Sequence, residues 1–96
     1  MITHIAIFKW KPEVTKEEIE EAFNEIRSLR DKVEGLSDIL CGENYNKWND
    51  GFTHAVVVLA DTQEALDAYR NHPDHKKIAA KTDVWEEKGI GINFKC

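Results

Sequence analysis

Four histidines and one tyrosine hold most of the chemistry that this sequence could perform. His4 and His54 fall in apolar stretches, while Tyr69, His72 and His75 share the segment Tyr69-Arg70-Asn71-His72-Pro73-Asp74-His75. An imidazole, with an unperturbed pKa of about 6.5, gains or loses a proton near neutrality. A phenol beside it can donate a hydrogen bond to a developing oxyanion. Together they suit proton abstraction next to a carbonyl, with stabilisation of the enolate that forms. Each residue also has a plainer use. His4 and His54 serve equally as hydrogen-bonded core residues, His72 as a support for the break at Pro73, His75 as a surface residue, and Tyr69 as a core aromatic with its hydroxyl at the edge.

Other chemistry finds less support. His72-x-x-His75 offers two imidazoles to a metal, but the intervening proline spoils regular helical spacing, and neither Cys41 nor Cys96 has an evident partner ligand. No glycine-rich phosphate loop, nucleophile elbow or paired-carboxylate motif is present. Neither a metal nor a cofactor is therefore expected.

The elements that must position these groups follow from local pattern. Ile2 to Trp10 is β-branched and aromatic and stops before Pro12, which reads as a strand. Thr15-Lys16-Glu17-Glu18 is a capping box, and behind it Ile19, Ala22, Phe23, Ile26, Leu29 and Val33 recur at helical spacing until Gly35. Leu36 to Tyr45 is a weaker strand whose Gly42 suits an edge or a bulge. Asn44 to Gly51 is turn chemistry and Phe52 to Ala60 the strongest strand. Thr62 caps a helix through Asn71, and His72-Pro73 interrupts it. A second helix starts at Pro73 and runs to about Ala80, with room to reach Trp85; Gly89 to Lys95 is the last strand. Trp85 is expected to pack in the core, and Trp48 to cap a pocket mouth, touch a partner or anchor its own loop. The order β-α-β-β-α-β is the ferredoxin-like α+β arrangement, a four-stranded antiparallel sheet with helices on one face. His4 and His54 would lie on neighbouring central strands beneath Tyr69 and His75, forming one pocket.

A sheet covered on one side should alternate apolar and polar residues. The third strand does not: Val56, Val58 and Ala60 occupy one side, Ala55, Val57 and Leu59 the other. The first strand has Ala6 and Phe8 on one side, Ile5 and Ile7 on the other. A second copy of the same sheet would cover the surplus face, giving a homodimer. Loops or long side chains such as Lys9 are the less economical cover.

Bulk properties narrow the field further. Ninety-six residues make one domain, expected over residues 1–96. With 13 Lys+Arg against 18 Asp+Glu the net charge is -5, which argues against nucleic acid as a partner. No polybasic patch or long apolar run points to a membrane. No leader-like stretch precedes the first strand, and the two cysteines read as free thiols, so a cytoplasmic location is expected.

The segments Gly51-Phe52-Thr53-His54, Val56-Val57-Val58 and Glu64 to His75 together resemble the stress-responsive dimeric α/β-barrel (Dabb) family. His4 to Lys9 fits its first strand, Gly42 its second, and Trp85-Glu86 the approach to its last. The resemblance implies a ferredoxin-like subunit that completes a dimeric α/β barrel through its sheet. The family includes plant stress-induced proteins and a plant enzyme that closes a linear polyketide by an aldol-type reaction, with a histidine base assisted by a tyrosine. By position in the motif, the resemblance implies His75 as that base and Tyr69 as its assistant, with His54 and His4 close to the substrate. On the first helix Phe23 and Ile26 are the apolar candidates for substrate contact; its remaining charge matches no long alkyl substrate. The expectation is a pocket for a small carbonyl compound, with cyclase-like lyase or isomerase chemistry. The alternative is a non-catalytic stress-responsive or accessory protein whose histidines are structural.

Overall fold

A computed structural model describes Met1–Cys96 throughout. The elements are β1 (Ile2–Trp10), α1 (Lys16–Ser28) with a 3₁₀ turn (Leu29–Asp31), β2 (Leu36–Glu43), β3 (His54–Ala60), α2 (Gln63–Asn71), α3 (Pro73–Trp85) and β4 (Glu86–Lys95). The strands form one antiparallel sheet in the order β2-β3-β1-β4, with the helices on one face. This is the ferredoxin-like α+β fold.

Local sequence fixes the helix starts. Thr15 Oγ1 accepts from the Glu18 amide at 3.1 Å while Glu18 Oε1 accepts from the Thr15 amide at 3.0 Å. Thr62 Oγ1 accepts from the Ala65 amide at 3.1 Å to open α2. α3 begins on proline, and the His72 ring caps it by accepting from the Asp74 amide at 3.0 Å. His72 is thus a capping residue.

The ends of α1 and β2 and the starts of β3 and β4 differ from the sequence reading. α1 ends at Ser28 and tightens into the 3₁₀ turn, so Leu29 and Val33 reach the core from beyond the regular helix. Gly35 still supplies the left-handed residue, at φ 89, where a side chain would meet Ala65 Cβ at 2.8 Å. β2 is an edge strand, as one reading of Gly42 had it; the bulge lies elsewhere, between Leu36 and Asp38, and Gly42 pairs regularly with Ala55. α3 takes the longer course the sequence allowed, to Trp85, and β4 begins immediately at Glu86 rather than at Gly89.

The core lies between sheet and helices. Ile19, Phe23 and Ile26 of α1 and Leu66 and Tyr69 of α2 pack on Val56 and Val58 of β3, all at 8% exposure or less. α3 is seated more lightly: over thirteen residues it buries only Ile78 and Thr82. Residues on the far face of the sheet contrast with this core. Leu40, Ile90, Ile92 and Phe94 are 39–53% exposed, and Ile5, Ile7, Val57 and Leu59 are half-buried among them.

Candidate functional site

The cavity beneath α3 exists because facing positions lack side chains. On the helix-facing side of β4 the residues are Gly89, Gly91 and Asn93, paired with Phe8, Ala6 and His4 of β1. A side chain at Gly91 would meet nothing within 4 Å. Above this floor α3 presents Ala79. The result is a cavity of ≈ 350 Å³ open to solvent, walled by Ile26, Val56 and Ile78 and carrying polar groups from His4, Tyr69, His75 and Glu86.

Tyr69 comes from the last turn of α2 and His75 from the first turn of α3, so the Pro73 break aims both side chains at the same space. Their rings meet edge to face, with centroids 4.6 Å apart. Tyr69 is 2% exposed, yet its hydroxyl bonds to no protein group. Since no buried side-chain nitrogen or oxygen is left without a partner, that hydroxyl must reach the cavity. Burial, with the Cys41 thiol close by, raises the Tyr69 pKa, which keeps the phenol protonated and a donor. Burial, then the Arg70 charge, lowers the His75 pKa; the Arg70 backbone partly offsets this, and His4 adds to the lowering. Near neutrality His75 is therefore a neutral imidazole able to take a proton.

His4 completes this end. Its Nδ1 pairs with Asn93 Oδ1 across the strands. With that oxygen accepting, Nδ1 is the donor.

His54 and Phe23 occupy a different place. Antiparallel register sets His4 opposite Val58 and His54 opposite Phe8, four residues apart along the sheet or about 13 Å. The His54 ring accepts at Nδ1 from Trp10 Nε1 (3.0 Å), lies 2.8 Å from Thr53 Oγ1, and meets the Phe23 ring edge to face with centroids 5.7 Å apart. Both residues line a second cavity of ≈ 130 Å³ with Glu20, Arg27 and Glu43. Burial lowers the His54 pKa, opposed first by Glu43. Of the six residues singled out from sequence, the fold gathers His4, Ile26, Tyr69 and His75 around one cavity and seats His54 and Phe23 around the other. Sequence reading did not find Glu86, Gly89 and Gly91; the signal was the alternation Gly89-Ile90-Gly91-Ile92, which leaves one side of a strand bare. The other imidazole of the His72-x-x-His75 pair is turned to helix capping, so the two rings serve separate ends.

A ferredoxin-like sheet backed by helices, with a polar-ended cavity under a lightly seated helix, defines a small α+β domain with room for a ligand. The chain belongs to the stress responsive A/B barrel domain family, whose model matches residues 2–94. It is 29% identical over 76 residues to olivetolic acid cyclase of Cannabis sativa, covering 77% of this chain and 75% of that protein. It is 23% identical over 91 residues to a stress-response A/B barrel domain-containing protein of Arabidopsis thaliana, covering 95% of this chain and 82% of that one. Among solved structures, a dimeric ferredoxin-like protein of Thermobifida fusca superposes with a TM-score of 0.86 at 25% identity, covering 99% of this chain and 90% of that chain. No helix is long and apolar enough to cross a membrane.

Proposed function

We propose that this chain forms a homodimer through the exposed sheet face and binds a small carbonyl compound in the cavity under α3, where it catalyses enolisation of the kind that begins an aldol-type ring closure. The observation that carries this reading is the convergence of an uncommitted phenol and a neutral imidazole on one cavity. His75 removes a proton from the carbon next to the carbonyl, and the released C–H electron pair becomes the enolate. The Tyr69 hydroxyl donates to the enolate oxygen, and the imidazolium returns a proton at the end of the cycle. His4 and Ile26 shape the ligand's surroundings; His54 and Phe23 hold the adjoining part of the core and contact substrate only if it extends that far. The relative named as a cyclase supports this chemistry, and the dimeric neighbour supports pairing.

Deuterium exchange at the α-carbon of benzylacetone, followed by proton NMR in deuterium oxide, tests the reading. His75→Ala should slow protein-catalysed exchange by about 10²–10⁴-fold, the range for loss of a general base. Tyr69→Phe should slow it while leaving thermal stability nearly unchanged, because the lost hydroxyl has no protein partner. Exchange no faster than buffer, or equally fast in both variants, would remove the catalytic proposal.

A further inference from the structure

The end of the cavity away from His75 holds a carboxyl group that the chemistry above does not use. Glu86 follows α3 directly, and its half-buried side chain folds back over β4. A methyl group built on Gly89 would lie 3.1 Å from Glu86 Oε1 and 3.2 Å from its Cδ, so the carboxyl rests on the glycine backbone. The group joins none of the four ion pairs of the molecule. Asp83, near enough to oppose its charge, also lines the cavity. A partly buried acceptor of this kind gains when a donor arrives.

Its position relative to the other polar groups describes a ligand. The rungs of the floor run His4–Asn93, Ala6–Gly91, Phe8–Gly89 and Trp10–Glu86. The first is polar and next to His75; the middle two are apolar or bare; the carboxyl folds back to the third. Backbone separation from first to third rung is about 13 Å, shortened by the side chains reaching inward from either end.

We propose that Glu86 is the specificity-determining residue of this cavity, its carboxylate accepting a hydrogen bond from a hydroxyl at the end of the ligand opposite the carbonyl. The ligand class is then an elongated hydroxylated ketone with an apolar middle. This rests on the cavity being the ligand site as proposed above, and it adds what that site selects.

Two probes of one shape, benzylacetone and para-hydroxybenzylacetone, test it by titration followed in protein NMR spectra. The wild-type protein should bind the hydroxylated ketone about ten-fold more tightly, as expected for one hydrogen bond to a charged acceptor. Glu86→Met, which keeps length and removes the acceptor, should abolish that preference while leaving benzylacetone binding within two-fold. Glu86→Gln, which keeps an acceptor oxygen, should restore part of it. An equal preference in wild type and Glu86→Met overturns the role of Glu86 and leaves the cavity reading standing. Failure of the wild type to bind either ketone, or undiminished binding of both by Gly91→Leu, overturns the cavity reading and this inference with it.

Discussion

Replacing Gly91 separates the site from the scaffold, because the two should respond in opposite directions. Gly91 lies mid-strand in β4, paired with Ala6, and its missing side chain would point into open cavity with nothing within 4 Å. A glycine in the middle of a strand is less stable than alanine by about 0.5–1 kcal/mol, since it gives up more backbone freedom on folding. Gly91→Ala should therefore stabilise the fold by about that amount, and for a chain of this size about 1 kcal/mol raises Tm by roughly 4–8 °C. Gly91→Leu adds an isobutyl group that buries itself against Ala6 and Ala79, contributing further in the same direction. The same group blocks the middle of the ≈ 350 Å³ space between the His75 end and Glu86. Thermal unfolding followed by circular dichroism should show Tm rising from Gly91 to Ala. Gly91→Leu should have Tm no lower than wild type yet bind benzylacetone at least ten-fold more weakly. A large drop in Tm for Gly91→Ala would mean that the position is packed rather than open. Undiminished ketone binding in Gly91→Leu would mean that the ligand lies elsewhere.

Acid should both weaken the fold and silence the chemistry. Burial lowers the pKa of His54 and His75 below 6.5 in the folded protein, so protonation favours the unfolded chain; the stability these residues contribute is fully present above pH 6.5 and lost as pH falls through their folded values. Urea titrations across this window should show that loss diminished in His54→Gln, and the exchange rate should have its acid limb below pH 6.5; a limb above 6.5 would contradict the burial of His75. On the far face, Leu40→Arg and Ile92→Glu set charge on the exposed apolar surface and should convert dimer to monomer, read by light scattering at micromolar concentration. Mutants that stay dimeric would place the interface elsewhere.

What could be read in the sequence was set by range. Capping at Thr15 and Thr62 and the break at His72-Pro73 depend on residues within a turn of each other, and each stands as its local chemistry requires; Gly35 keeps its left-handed conformation, but the helix it was expected to end stops earlier, at Ser28. Strand order followed from the alternation of elements, and the two-sided apolar character of β1 and β3 appears as the far face of the sheet, where Ile5, Ile7, Val57 and Leu59 are half-buried. Register is a long-range property, and there inference stopped. Both His4 and His54 face the helices, as parity dictates, but antiparallel pairing carries the start of one strand to the end of its neighbour and parts the two rings. The cavity was hidden for a related reason: its floor is made of side chains that are absent, and Gly89 and Gly91 drew no notice within the last strand. Glu86 became visible as a cavity residue only once α3 proved to end directly against β4.

The last strand is a partition one residue thick between two surfaces. On one side it is bare where a ligand would rest; on the other it carries Ile90, Ile92 and Phe94 toward whatever covers the sheet. Alternate residues of one strand serve the two surfaces, so the backbone that sets one also sets the other. Any compound that settles differently in a paired and an unpaired subunit would alter pairing by the same factor by which pairing alters its own affinity.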